Sequence, residues 1–290
     1  MTTLLQYLCF VGASFSAFSG FKGAVIEQKQ SESDRMGRRL LEVFSVRVCS
    51  ECLAEDGGVI HGFGLLGPSL GPANALLFRR KCADPPIVNK AGYITLNGLL
   101  TGVEVNDEVA LHAYIWSIFP VIFNKTECAT LWTAVDETNQ ILCKEVESYF
   151  GPLEVKFAVY NNAVEAHLKV VLVSTEVHDG VEVFGKVESY SSTIPYVYAR
   201  SKLFDRSIED PVRVRVENDW TILPLSRSVT VLPHNSTLLV DVSISRLKNS
   251  RRYWPPIFET LSFDAAFTGT ETKVTSGDWG NVEVTVTWSG

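Results

Sequence analysis

Residues 77–105 align without a gap on residues 203–231 at an offset of 126, with ten identities in twenty-nine positions. The identities include Leu77/Leu203, Phe78/Phe204, Arg80/Arg206, Asp84/Asp210 and Pro85/Pro211, and they stay in register with Val103/Val229 and Val105/Val231. No other feature limits the fold so much, because a segment that recurs at a fixed spacing is one structural unit used twice. Beyond Val105 the offset grows to 129, which sets Val109, Leu111, Ala113 and Ile115 against Leu238, Val240, Val242 and Ile244. The three extra residues fall around 233–236, where a hairpin loop absorbs them. The same offset lays residues 151–159 on 280–288. Upstream, Phe44, Val46 and Val48 meet Leu168, Val170 and Leu172, with Gly62 opposite Gly185.

Inside these segments apolar and polar residues alternate. Val282, Val284 and Val286 interleave with Glu283, Thr285 and Thr287, and Val240, Val242 and Ile244 interleave with Asp241 and Ser243. A period of two turns one set of side chains to a core and the other to water, so these runs are half-buried strands. Asn106-Asp107, Pro233-His234-Asn235, Gly67-Pro68 and Gly71-Pro72 supply the turns between them. The expected fold is all-β: an antiparallel β-sandwich-like arrangement of two tandem diverged copies packed together, with little helix. The organisation that follows is an N-terminal extension with an apolar, leader-like start over 1–40, a first copy over 41–161 and a second over 162–290. Two helices are expected. One covers about 26–43, where Ser31, Ser33 and Asp34 offer capping groups. The other covers 125–147, where Ala129, Leu131, Trp132, Val135, Ile141 and Leu142 are loosely spaced for one face, a stretch that a long loop would also explain.

Catalytic spacings are missing from the chain: it contains no GxSxG elbow, HExxH pair, Walker loop or GxGxxG. Five histidines, at 61, 112, 167, 178 and 234, have no ligand spacing, and His61 is replaced by Phe184 at the equivalent place, as a packing or rim position would allow. The Arg80/Asp84-Pro85 and Arg206/Asp210-Pro211 pairs read as turns in which the arginine fixes an aspartate, since a calcium loop needs several clustered Asp or Asn residues. Cys49-Ser-Glu-Cys52 has zinc-pair spacing, but fourteen residues separate Cys128 from Cys143, so the second knuckle is lacking and ordinary thiols are the better reading. No cofactor and no metal are expected, and the chain reads as a non-enzyme. One composition does point to binding. Arg251, Arg252, Tyr253 and Trp254, followed by Pro255-Pro256, put cations, aromatic faces and rigid prolines into one loop, although a plain crossover would look similar.

Charge narrows the partners. A formal net charge of −7 argues against phosphate backbones, and the basic clusters at 35–39, 79–81 and 246–252 are short and carry no interleaved aromatics, so nucleic acid is an unexpected partner. Residues 4–26 are almost uncharged, yet no Lys or Arg precedes the apolar run, Gln6 and several Ser interrupt it, and Lys22 closes it. A membrane span is therefore not expected, and cytoplasmic residence is favoured over the secreted alternative. Cys9 would leave with a leader, giving an odd count of five thiols, which also favours reduced cysteines. Asn124-Lys-Thr126 and Asn235-Ser-Thr237 are glycosylation sequons that acquire meaning only in the secreted case.

The phrases Leu41-Glu-Val-Phe-Ser-Val-Arg-Val48, Leu96-Asn-Gly-Leu-Leu-Thr-Gly102, Phe157-Ala-Val-Tyr-Asn-Asn-Ala-Val-Glu-Ala166 and Gly280-Asn-Val-Glu-Val-Thr-Val-Thr-Trp288 resemble an uncharacterised domain family expanded in grasses. The resemblance covers about 38–290. It extends to the C-terminal region of cereal jasmonate-induced ribosome-inactivating proteins, in which such a domain follows an rRNA N-glycosylase domain. It implies a setting in plant stress or defence and brings no catalytic residues with it. The N-glycosylase chemistry needs a Glu-x-x-Arg helix, and Glu165-Ala-His-Leu168 has no arginine there and sits in an alternating run. The expected function is thus a non-catalytic interaction module with a protein partner. The alternatives are a hydrolase related to the rRNA N-glycosylases and a secreted glycan binder.

Overall fold

The structure, a computed structural model, describes residues 37–48, 60–67, 75–80, 92–98, 102–117, 125–133, 136–147, 152–173, 180–194, 199–215, 219–249 and 252–290. Strands and their connecting turns account for them. The first half carries β1 (Arg38–Val48), β2 (Ile60–Gly67), β3 (Ala75–Arg80), β4 (Val103–Glu104), β5 (Glu108–Ser117), β6 (Lys125–Thr133) and β7 (Ile141–Val146). A long strand, β8 (Leu153–Val173), crosses the middle. After it come β9 (Val181–Ser191), β10 (Ser201–Arg206), β11 (Val212–Val214), β12 (Trp220–Ile222), β13 (Val229–Pro233), β14 (Thr237–Asn249), β15 (Arg252–Tyr253), β16 (Ile257–Asp264), β17 (Thr268–Gly277) and β18 (Gly280–Ser289). The ladders between these strands are antiparallel, as the alternation requires.

An eight-stranded sheet runs β17-β18-β8-β1-β4, with β7, β12 and β13 also paired to β8. A four-stranded sheet, β3-β2-β5-β6, and a six-stranded one, β10-β9-β14-β15 with β11 and β16, complete the described fold. One core holds Val43, Val46, Phe78, Leu111, Trp132, Val155 and Phe157. A second holds Val170, Leu172, Val242, Phe263 and Val284. A third, smaller core gathers Leu40, Phe44, Ala158, Tyr160 and Ala163 with Ile194, Ala199 and Val231. All belong to one compact unit, Arg35–Gly290.

Pairing recurs at the positions the sequence offsets equate. Gly62 faces Arg80 on one side and Ile115 on the other; Gly185 faces Arg206 and Ile244. Val46 faces Val155, and Val170 faces Val284. The 161/162 limit between the two sequence copies falls inside β8. There the buried set changes from Leu153, Val155, Phe157 and Val159 to Val164, Ala166, Leu168 and Val170. An uninterrupted period of two would have turned one of these sets to solvent, so the strand needs one extra residue. Asn162 supplies it with a φ of 56°, a left-handed conformation that asparagine tolerates better than most residues.

Two expectations are overturned. No helix exists among the described residues. The part of 26–43 that is described belongs to β1, whose buried Leu40–Phe44 run joins a sheet; the rest lies outside the described residues. Across 125–147 the chain forms β6 and β7, because Thr126, Thr130 and Thr133 favour a pleated surface and a turn intervenes. Asn139 takes a φ of 60° in that connection. Asp136 closes it by accepting hydrogen bonds from the Thr133 N–H at 2.8 Å and from Lys144 Nζ at 3.1 Å.

The Thr133 N–H holds the Asp136 carboxyl below its usual 3.8; burial opposes it, and Lys144 adds to the lowering. A depressed folded pKa contributes stability above the unfolded value, and that contribution disappears as pH falls through the folded one. Asp136→Asn is therefore expected to cost about 1 kcal/mol at pH 7. Urea titrations should find the gap to wild type closing as the pH drops below 3.8.

Candidate functional site

The loop that sequence composition marks out begins at Arg251, which lies outside the described residues, as does the side chain of Arg252. Its two aromatics part company. The Trp254 N–H donates to the Arg246 carbonyl at 2.8 Å, and its ring packs on the second core. Pro255 follows, its carbonyl oxygen fixed by Trp279 Nε1 at 3.2 Å. Tyr253, one residue earlier in an extended segment, points the other way and is 55% exposed. Trp254 is thus half-buried against the core, and Tyr253 is the member of the pair that faces water.

Tyr253 has neighbours that its local sequence does not disclose. On the outer face of the six-stranded sheet, Phe184 of β9 meets it edge to face, with ring centroids 5.6 Å apart. Cross-strand registers place Phe184 beside Ser245, and Lys186 beside Ser243 with Phe258 on the far side. Phe258 is 72% exposed. Three aromatic residues from β9, β15 and β16 therefore share one surface, with small serines between them. Gly185 sits between Phe184 and Lys186 at a φ of 126°, where a Cβ would collide with the Ser243 carbonyl. The signal for Phe258 was present in the chain: Ile257, Leu261 and Phe263 keep the inward phase of β16, and Phe258 breaks it.

Next along the same face lies a polar network. Asp241 accepts from Thr260 Oγ1 at 2.7 Å, Tyr190 Oη at 3.2 Å and Arg200 Nη1 at 2.7 Å, and Glu188 accepts from the same Arg200 nitrogen at 2.9 Å. The Arg200 guanidinium also lies 4.7 Å from the Tyr190 ring centroid. Arg200 is therefore held in place by two carboxylates and a ring, which makes the surface beside the aromatics rigid as well as charged.

Two further polar clusters gather charged side chains, and neither has the geometry of a catalytic site. Glu42 of β1 is 1% exposed and accepts from the Ser201 hydroxyl, from Arg227 Nη2 at 2.6 Å and from the Val231 N–H at 2.9 Å. Arg227, 3% exposed, also donates to the Val229 carbonyl at 3.0 Å and the Val43 carbonyl at 2.7 Å. Burial raises the Glu42 pKa, while Arg227, Ser201 and Val231 work against it. Sealed and with its acceptors used, this cluster joins β1 to the second half of the chain. Near it, Glu165 accepts from Arg38 at 3.0 Å and contacts His167 Nε2 at 3.1 Å, and Ser289 Oγ lies 3.5 Å from that same nitrogen. A nucleophile–histidine–carboxylate relay needs the two partners on opposite ring nitrogens, so this geometry does not form one.

Of the other residues singled out in the sequence, Arg206 bonds Asp210 at 2.8 Å across an exposed turn, while Asp84 lies outside the described residues. So do Cys9, Cys49, Cys52 and Asn124. Cys143 is an exposed free thiol whose pKa is pushed up by burial and then by Glu154, with Lys156 opposing. Among the described residues no group of three or more His, Cys, Asp or Glu side chains is placed to hold a metal. Asn235 is exposed at the β13–β14 turn.

A family described as "Domain of unknown function (DUF6598)" matches residues 40–286. The chain belongs to this family. DUF6598 is uncharacterised, and the match takes in both halves of the chain. No curated protein matches. Among solved structures, the calcium-bound tandem C2 domains of Extended-Synaptotagmin 2 align at a TM-score of 0.28 and 7% identity, covering 88% of this chain and 96% of that one. Human GIVD cytosolic phospholipase A2, in complex with methyl gamma-linolenyl fluorophosphonate, aligns at 0.23 and 10% identity over 87% of this chain. The match spans 32% of the phospholipase chain. Superpositions this loose carry no inference about the DUF6598 chain.

Proposed function

We propose that this DUF6598 chain is a non-catalytic interaction module. Its contact face is the outer surface of the six-stranded sheet around Phe184, Tyr253 and Phe258, and its partner is a protein. The observation that carries this reading is the exposure of Tyr253 and Phe258, from different strands, on one face, with half-buried Phe184 set edge-on against Tyr253 and Phe258 largely in water. Exposed large apolar groups that cluster are uncommon on a surface with no partner, and aromatics dominate the energy of protein contacts because a rigid ring buries much area at small entropic cost. The neighbouring Arg200–Asp241–Glu188 network would form a polar rim to such a contact. The resemblance to cereal stress-induced proteins supports a role in plant stress or defence.

The test is a comparative pull-down from cereal leaf extract with immobilised wild type and a Tyr253→Ser/Phe258→Ser variant. Wild type is expected to retain a reproducible protein, with retention by the variant reduced about tenfold or more. Equal capture by both proteins, or no reproducible capture by wild type, would contradict the proposal.

A further inference from the structure

A different surface carries a second kind of chemistry. On the outward side of the eight-stranded sheet, β17, β18, β8 and β12 lie edge to edge, and their registers define rows of side chains that cross the sheet. One row is Ser276, Asn281, Val173 and Trp220, and the next is Val274, Glu283, Val171 and Ile222. Thr272, Thr285 and Lys169 form a third, and Thr270, Thr287 and His167 a fourth. Neither the β17–β18 nor the β18–β8 ladder contains a bulge, so the rows follow an unbroken lattice, about 4.8 Å between strands and about 6.8 Å along them. Trp220 is 44% exposed, with Lys169 Nζ 5.9 Å from its ring centroid.

The hydroxyls are ordered before any ligand arrives. Thr270 and Thr287 lie 3.2 Å apart between Oγ1 atoms, and Thr272 and Thr285 2.9 Å apart. Each pair uses one hydroxyl proton internally and leaves the other, with spare lone pairs, directed at solvent. Glu283 and Asn281 add acceptors and an amide donor. Charge is balanced, because Lys169 is offset by Glu283, and His167 is already engaged with Glu165. This balance disfavours a phosphate polymer, which needs an excess of cations. The interspersed hydroxyls disfavour an apolar protein core contact. An extended surface with one flat indole and many fixed hydroxyl, amide and carboxylate groups complements a neutral, hydroxyl-rich, ribbon-like chain. Its sugar C–H faces would lie on the ring while its hydroxyls pair with the threonine rows.

We infer that the β17–β18–β8–β12 face binds a neutral β-1,4-linked polysaccharide. Trp220 is the stacking platform, and Thr270, Thr272, Thr285 and Thr287 are the hydrogen-bonding rows. This site is separate from the aromatic protein-contact face and accords with the secreted alternative, in which the exposed Asn235 would also be open to glycosylation. The experiment is sedimentation of the full chain with microcrystalline cellulose and with insoluble xylan, in low salt of about 0.01 M and in about 1 M NaCl, where the screening lengths are about 30 Å and about 3 Å. Wild type is expected to bind at least one of the two polymers equally at both salts. Trp220→Ala should weaken binding about tenfold or more, whereas Trp220→Phe should stay within about threefold of wild type. Should Trp220→Ala fail to fold, Thr285→Val/Thr287→Val removes two hydroxyls without changing shape and should still weaken binding about fivefold. Tyr253→Ser/Phe258→Ser should bind like wild type, which keeps this result independent of the protein-contact reading. No retention on either polymer, retention lost at high salt, or undiminished binding by a folded Trp220→Ala protein would each overturn the inference.

Discussion

Glu42→Ala and Arg227→Ala should each destabilise the protein by about 3–5 kcal/mol, because either one strands a charge in the interior without its counterpart. For a unit of this size that corresponds to a fall in melting temperature on the order of 10 °C. The carboxylate and guanidinium are 185 residues apart in the chain and come together only when β1 docks against the segment that leads into β13. The Ser201 hydroxyl and Val231 N–H point at the same carboxylate, so removing it also leaves two donors without an acceptor. Glu42→Gln with Arg227→Met keeps an acceptor for those donors and removes both charges, and it should recover a large part of the loss. Urea unfolding of the three variants checks this; single variants within about 1 kcal/mol of wild type would mean that the pair is no lock.

Gly185→Ala is the second large effect, at about 2–4 kcal/mol. At a φ of 126° an alanine is strained, and its Cβ would strike the Ser243 carbonyl, so β9 has to move away from β14 at the place where Phe184 and Lys186 reach the surface. Gly269→Ala provides the comparison. Its φ of 120° is nearly the same, but nothing lies within 4 Å of the added carbon. Only the conformational strain remains there, and the cost should be about 1 kcal/mol. The difference between the two variants in thermal or urea unfolding isolates the collision. A Gly185→Ala protein as stable as Gly269→Ala would show that β9 and β14 do not pack as described.

Much of the fold could be read from residue order. Val282, Val284 and Val286 alternate so regularly that a half-buried strand is the direct reading, and the offsets of 126 and 129 equate Arg80 with Arg206 and Ile115 with Ile244, the residues that flank Gly62 and Gly185 in their ladders. The misread stretch at 125–147 has a physical cause. Its apolar residues are divided between β6 and β7, which pair with different neighbours in different sheets, and their spacing imitates a helical face until Asn139 and Asp136 are recognised as residues of the connection between the two strands. The candidate site was only partly legible. Composition pointed to Tyr253 and Trp254 together, whereas adjacent residues of an extended segment face opposite ways, and burial takes Trp254. Phe184 and Phe258 join Tyr253 through cross-strand neighbours, and no local pattern encodes which strands will be neighbours. The threonine rows were equally hidden, since Thr270 and Thr287 belong to one surface only once β17 and β18 pair.

If the Phe184–Tyr253–Phe258 face is where a protein partner binds, a reactive group placed on it must capture that partner directly. The measurement replaces Phe258 with a photo-crosslinking benzoylphenylalanine, places the same group at exposed Glu104 as a control, and irradiates both proteins in cereal extract. A discrete cross-linked protein species is expected from position 258, absent from position 104 and lost when Tyr253→Ser is added. Identical products from both positions, or none from position 258, would contradict a protein-binding role for this face.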